Sequence, residues 1–315
     1  MRGSAYNSSM KRPTHIPVLH SDDGHSPVLS VLKPLPGERV LDVTLGLGSH
    51  AEAFLKAVGA TGFLCGLDTD SDNLSIAKDR LKAYEKQIDL RHENFRSLRE
   101  DSFPPFDIIF ADLGLSSPHI DRPERGFSFR FDGPLDLRFD QTKGATAADF
   151  LHDAAEDDIA DVLFRYGELR ESRRLAKRLH DRSINDGIRT TFDLKKCIEI
   201  AAGYRAPKIL PQVFQALRIH INGELGALEH LLIVAPLLLK TGGRFGVISY
   251  HSLEDRMVKQ AFKQRAEPDR DPVRGGITKA APFEILTKKP VKPSDEEVRA
   301  NPRSRSAVFR AIRRI

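Results

Sequence analysis

Three aspartates follow short apolar runs in the first part of the chain: Asp42 after Val40 and Leu41, Asp68 after Gly62 to Leu67, and Asp112 after Ile108 to Ala111. An apolar run ending in a carboxylate reads as a buried strand that delivers this group to one edge of a sheet, and open parallel sheets bind ligands at their carboxyl edge. Between the first two aspartates lie Gly46 and Gly48, which suit a loop whose backbone comes close to a ligand. With Ala51 they satisfy the G-x-G-x-x-G/A pattern of nucleotide-cofactor turns, which dinucleotides and other cofactors share. Asp68 follows Gly48 by 20 residues. There a carboxylate can accept both hydroxyls of a ribose, or it can merely cap a helix that starts near Ser71.

Which cofactor the turn serves depends on its neighbours. A carboxylate at Asp42 would face a pyrophosphate with like charge, whereas it can reach the amino group of a methionine moiety. Asp112 enters a second edge loop, LGLSSPH from Leu113 to His119, too rich in Gly, Ser and Pro for a helix. The last apolar runs, near Phe283 and Ser306 to Ile312, can close the sheet as an antiparallel hairpin after a strand that ends at Tyr250. Such an ending is typical of methyl-transfer folds and not of dehydrogenases. These features favour S-adenosylmethionine over a nicotinamide dinucleotide.

The elements that must hold these groups alternate in type. Strand, turn, helix and strand succeed one another from Gly37 to Asp68. A helix follows with Leu74, Ala77, Leu81 and Tyr84 on one face, then a strand near Leu90 with Phe95 after it, able to stack on a flat ring. From Thr146 to Gly203 no strand can be placed, and the periodicity predicts helices over 147–155, 157–166, 171–182 and 191–202, the last capped by Thr190 or Thr191. The fold predicted is α/β, a class I Rossmann-like methyltransferase sheet with an inserted all-helical subdomain. Residues 1–14 read as a flexible tail, 15–119 and 212–315 as the sheet domain, and 120–211 as the insert. Phe214 to Lys240 reads as two helices broken at Gly226 or Pro236, and 267–276 as a loop. In Asp121 to Asp140, Phe127, Phe129 and Phe131 alternate with Ser128 and Arg130: either a strand with one buried face, or the interleaving of rings and guanidinium groups that nucleic-acid surfaces use.

Composition narrows the classes. Of 315 residues, 40% are apolar and 30% charged, which is globular. The longest apolar run, Leu231 to Leu239, contains Pro236 and is far shorter than the ~20 residues of a membrane span. No apolar stretch of the secretory type follows Arg2, Lys11 and Arg12. The only cysteines, Cys65 and Cys197, make neither a disulfide framework nor a CxxC metal site, so a cytoplasmic protein without a metal centre is expected. A net charge of +5 permits a polyanionic partner. From Arg299 to Ile315 there are six arginines and no acid, which predicts either a local positive field or a solvated basic end.

The chain resembles the ribosomal RNA small subunit methyltransferase H family. The resemblance rests on HIPVL at His15 to Leu19, DVTLGLGSH at Asp42 to His50, GLDTD at Gly66 to Asp70, NF at Asn94 and Phe95, and DLGLSSP at Asp112 to Pro118. It continues with ERGFSFRFDGPLDLR at Glu124 to Arg138, YGE at Tyr166 to Glu168, FQALRIHINGEL at Phe214 to Leu225, SYHSLEDR at Ser249 to Arg256, and NPRSRSAVFR at Asn301 to Arg310. It implies methylation of N4 of a cytidine in the decoding region of small-subunit, 16S-type rRNA, with small-subunit rRNA as partner, within a small ribosomal subunit, and S-adenosyl-L-methionine as cofactor. A homodimer is compatible with it. The implied cofactor contacts are Gly48, Ser49, His50, Asp68, Phe95, Asp112 and His119. The family usually has glycine at Ser49, glutamine at His119, and threonine and arginine at Pro211 and Gln212. Two other readings compete: a noncatalytic rRNA-binding or ribosome-assembly factor, and a nicotinamide-dependent oxidoreductase.

An exocyclic cytosine amine is a poor nucleophile because its lone pair is delocalised into the ring, so an acceptor must draw on its protons. Asp112 is the candidate catalytic residue, although it can equally serve the cofactor while Ser117 or a loop carbonyl does the accepting. His50 and His251 are further possible bases, or positioning donors. The target base must leave its stack to reach such a pocket. Arg125, Phe127, Phe129, Arg130 and Arg138 can line its path, with the insert gripping the surrounding RNA.

Overall fold

A computed structural model describes residues 17–19, 26–271 and 276–315. The expected tail over 1–14 and part of the expected loop over 267–276 lie outside them. Helix α1 (Pro27–Leu32) precedes β1 (Arg39–Asp42), α2 (Ser49–Val58), β2 (Phe63–Asp68), α3 (Ser71–Arg80), β3 (Ile88–His92) and β4 (Phe106–Asp112). A helical series follows: α4 (Ser117–Asp121), α5 (Ala147–Asp153), α6 (Glu156–Gly167), α7 (Ser172–Asn185), α8 (Thr191–Ala202), α9 (Ala206–Asn222) and α10 (Glu224–Val234). The chain then gives β5 (Leu239–Ser249), α11 (Ser252–Arg265), β6 (Asp269–Arg270), β7 (Ile277–Lys279), β8 (Phe283–Ile285), α12 (Asp295–Ala300) and β9 (Val308–Arg314).

Seven strands form one sheet in the order β3-β2-β1-β4-β5-β9-β8. The first five are parallel, and β9 and β8 run antiparallel at one edge, the hairpin expected from the sequence. Strand alternation sends Val40, Leu64, Ile108 and Phe110 to one face, against α1, α2 and α3. Leu41, Cys65, Leu67, Ile109 and Ala111 go to the other, against α10 and α11. Burial on both faces explains why these strands read as unbroken apolar runs.

The helices α5 to α9 share a separate core with Phe127, Leu135 and Leu137. Thr146 and Thr190 start α5 and α8, each with an aspartate three residues on that completes a capping box. The expected helix break at Gly226 or Pro236 falls instead at Gly223, whose φ of 59° ends α9, while Pro236 lies in the single turn after α10. Thus α9 begins in the helical core and reaches the sheet edge at Asn222. Among the described residues no single helix is long and apolar enough to cross a membrane; one bent pair around Gly223 passes that test together.

Candidate active site

The carboxyl ends of β1, β2 and β4 open into a cavity of about 710 Å³. On one side stands the glycine turn. Gly46 donates its N–H to Asp68 Oδ2 at 2.7 Å and Asp70 donates to Oδ1 at 2.8 Å, so Asp68 ties the turn to β2 while facing the cavity. Burial raises the pKa of Asp68 against these two donors. The cap of α3 falls on Asp70, whose Oδ1 accepts from Asp72 N at 2.8 Å and Asn73 N at 3.3 Å.

Gly48 sits at φ 77°, and a Cβ there would meet that of Ala77 at 3.3 Å. Its N–H bonds Leu45 O, and it does not line the cavity. Gly48, an expected cofactor contact, sits behind the lining residues Leu47 and Ser49 in a turn that only glycine makes without strain. Ser49 and His50 open α2 and do face the cavity. Ser49 Oγ is buried without a hydrogen-bond partner among the described residues, a condition costing about 1–3 kcal/mol that a polar ligand atom would relieve. Phe95 lines the same side, held by Asn94, whose side chain accepts from Arg96 N.

Asp42 is not a lining residue either. Its Oδ1 accepts from Thr44 N at 3.1 Å and its buried Oδ2 has no partner among the described residues. Burial, opposed by the Thr44 bond and reinforced by Asp112 and Asp68, pushes its pKa up to about 7. Asp42, expected to reach a methionine amino group, stands behind the lining residues.

Asp112 faces the cavity. Its Oδ1 accepts from Gly114 N at 3.3 Å, and the Tyr250 hydroxyl donates to its carboxylate. His50 Nε2 lies 3.7 Å from Oδ2. Burial pushes the pKa of Asp112 up to about 6, with Tyr250 and Gly114 restraining the rise and Glu254 adding to it. Tyr250 packs against Gly114, where a Cβ would come 2.7 Å from the ring.

The loop expected over 113–119 is partly helical: α4 starts at Ser117 with Pro118 in its first turn, and Ser116 and His119 cap it reciprocally. His119 is buried against the rings of Phe127 and Phe139, at 5.0 and 5.1 Å, with Nε2 2.8 Å from Asp70 Oδ2. Arg125 reaches the same oxygen at 2.7 Å and is itself 3% exposed. Burial opposes it, but these two partners hold Asp70 well below the usual carboxylate range. Arg125 is therefore a structural cation rather than an RNA contact. Arg138 is likewise committed, by a bidentate pair with Asp136. Phe127 to Phe131 form no strand. Phe127 stacks on Phe139, Phe129 meets Phe214 edge-on, and Phe131 is 51% exposed. Of the expected RNA-path residues only Arg130 lines the cavity. His251 caps α11 and pairs with Glu254 at 3.0 Å, outside the cavity lining.

The opposite wall was not assigned from the sequence. Arg218 of α9 and Glu224 of α10 form a buried bidentate pair at 2.8 and 3.0 Å beside Asn222 and Glu254. Arg303 closes the rim, bonded to Ser117 Oγ at 3.0 Å and Asp121 at 2.6 Å. All lie within the strings FQALRIHINGEL, SYHSLEDR and NPRSRSAVFR, which marked the segments without giving these side chains roles.

Residues 12–315 match the MraW methylase family. The chain belongs to that family. A relative from Syntrophotalea carbinolica, called ribosomal RNA small subunit methyltransferase H, is 41% identical over 308 residues, covering 94% of this chain and 98% of its own. One of the same name from Sorangium cellulosum is 40% identical over 295 residues, covering 91% and 88%. Among solved structures, TrmN from Thermus thermophilus is similar over 91% of this chain and 47% of its own, at 14% identity and a TM-score of 0.42, too loose a likeness to support anything further.

MraW methylases use S-adenosylmethionine, and the cavity fits it. Asp68 at the end of β2 would hold the ribose, the Phe95 ring would lie against the adenine, and the unpartnered Ser49 Oγ would meet a polar atom of the methionine arm. Among the described residues no group of three or more His, Cys, Asp and Glu is arranged to hold a metal ion.

Proposed function

We propose that this MraW methylase transfers a methyl group from S-adenosylmethionine to N4 of a cytidine in the decoding region of small-subunit rRNA, within a small ribosomal subunit. The observation that carries the reading is Asp112, a carboxylate lining the same cavity as Ser49, Asp68 and Phe95 and as the Arg218–Glu224 pair. The relatives' names, ribosomal RNA small subunit methyltransferase H, supply the RNA. The cofactor, when bound, would supply an electrophilic methyl group from its sulfonium and would be left as S-adenosylhomocysteine when the sulfur–carbon bond breaks. Asp112, ionised at neutral pH, accepts a hydrogen bond from the exocyclic amine and takes the proton that the nitrogen loses, then releases it to water. Tyr250 and Gly114 hold that carboxylate in place. His50 Nε2 stands 3.7 Å from the same carboxylate. The helical core over α5 to α9 serves as the RNA-recognition part.

Incubating small ribosomal subunits and their extracted rRNA with tritium-labelled S-adenosylmethionine tests this. Label is expected in the small-subunit rRNA and not in large-subunit rRNA. Failure of both substrates to take up label would overturn the enzymatic reading in favour of a noncatalytic binding factor.

A further inference from the structure

The outward side of α7 is unusually basic. Arg170 precedes the helix, and Arg173, Arg174, Lys177, Arg178 and Arg182 follow within it, against Glu171 and Asp181 in the same stretch. Leu175, Ala176 and Leu179 are buried in the helical core, which confines the cations to the solvent side. Arg174 is held by Glu171, which also binds Arg205, and Arg182 is held by Asp186. Arg170, Arg173, Lys177 and Arg178 are exposed and have no carboxylate within ion-pair reach among the described residues. The first turn of α7 carries no acid, so Arg173 and Arg174 face the positive end of the helix dipole. That arrangement is unfavourable in the free protein and is relieved by a bound polyanion.

The face also connects to the active site. Glu168, which ends α6, accepts from Ser252 Oγ at 2.6 Å and from Arg256 at 3.1 Å on α11, the helix whose Glu254 lines the cavity. Arg170 stands two residues beyond that junction. On the neighbouring α8, Phe192 is exposed with Lys195 5.2 Å over its ring.

We propose that the outer face of α7, through Arg170, Arg173, Lys177 and Arg178, holds the phosphates of the single-stranded RNA segment flanking the nucleotide in the cavity. A base turned out into the cavity leaves a strand running over its rim, and forked arginine donors together with an exposed ring suit such a strand. The proposal rests on the reading that the cavity takes an RNA nucleotide.

The test is a quadruple variant, Arg170→Ala, Arg173→Ala, Lys177→Ala and Arg178→Ala, beside a control variant with Lys78→Ala, Lys82→Ala and Lys86→Ala on the sheet domain. RNA affinity is measured between 50 and 200 mM salt with a small-subunit rRNA fragment, together with KM, kcat and the thermal shift given by S-adenosylhomocysteine. The slope of log K against log salt should flatten by about 2.8 for four lost phosphate contacts on a single strand. KM for RNA should rise at least tenfold, with the same thermal shift as the parent, and the control should match the parent throughout. An unchanged slope and KM, or losses equal to those of the control, would overturn the proposal. A parent that neither binds nor methylates small-subunit RNA would defeat the underlying reading instead.

Discussion

Between residues 299 and 315 the chain carries six arginines and no acid, yet most of that charge is already used. Arg303 bonds Ser117 and Asp121, Arg310 holds Asp255 with two bonds, Arg313 pairs with Glu284, and Arg314 donates to the Leu239 carbonyl. Between 170 and 182 there are also six cations and two acids are interspersed, yet four of the cations stay exposed and unpaired among the described residues. A count along the sequence ranks the first region as the more electropositive, and the folded chain reverses the order. What decides is whether a carboxylate arrives from elsewhere in the fold. The aspartates of the sheet edge divide in the same way: Asp70 is fully engaged by Arg125, His119 and the α3 cap, whereas Asp112 keeps a face toward the cavity.

The largest effect expected from this division belongs to Asp112. Asp112→Asn should lower methyl transfer about 100- to 10,000-fold, the range for loss of a positioned proton acceptor, while S-adenosylhomocysteine still stabilises the protein against heat. Activity within a few-fold of the parent would move the accepting role elsewhere in the loop. Asp70→Ala should act on stability instead. It removes the nearer carboxylate from the buried Arg125, leaving Asp72 at 4.0 Å and the Arg138 and Phe139 carbonyls, and urea unfolding should show a loss of about 1–3 kcal/mol. Arg173→Ala on α7 should stay within about 0.5 kcal/mol in the same measurement.

Asp42 gives a pH test. Its folded pKa, about 7, lies above the ordinary 3.8, so folding favours the protonated form. The stability it contributes is complete below about pH 4 and is lost as the pH rises through 7. Asp42→Asn should therefore stabilise the protein at pH 8 by about 2–4 kcal/mol, with the gain fading toward pH 4. A gain independent of pH would show that the carboxylate is not protonated on folding. A second pH test is at Tyr250. Parent activity should rise with pH through about 6 as Asp112 ionises. Tyr250→Phe removes the hydroxyl that favours the ionised form, so the rise should move upward by about one pH unit with the plateau retained.

Much of the sheet domain was legible because its signals are local. Apolar runs, Gly46, Gly48 and the aspartates that end β1, β2 and β4 are each signalled by residues a few positions away. The candidate site was legible only in part. Ser49, His50, Asp68, Phe95, Asp112 and His119 all line one cavity, but Gly48 and Asp42 stand behind its wall. Nothing near Arg125 in the sequence announces that it pairs with Asp70, 55 positions earlier, and the Phe127, Phe129 and Phe131 alternation mimics a strand because each ring finds a different tertiary partner or none. The Arg218–Glu224 wall was missed because the pair forms only when α9 and α10 fold back at Gly223.

The most direct test of the central claim is the identity of the modified nucleoside. Small ribosomal subunits are treated with the parent protein and labelled S-adenosylmethionine, the rRNA is digested to nucleosides, and the label is located by mass spectrometry. The account predicts that it appears in N4-methylcytidine from the decoding region and disappears with Asp112→Asn. Label in a carbon- or ribose-methylated nucleoside would contradict it.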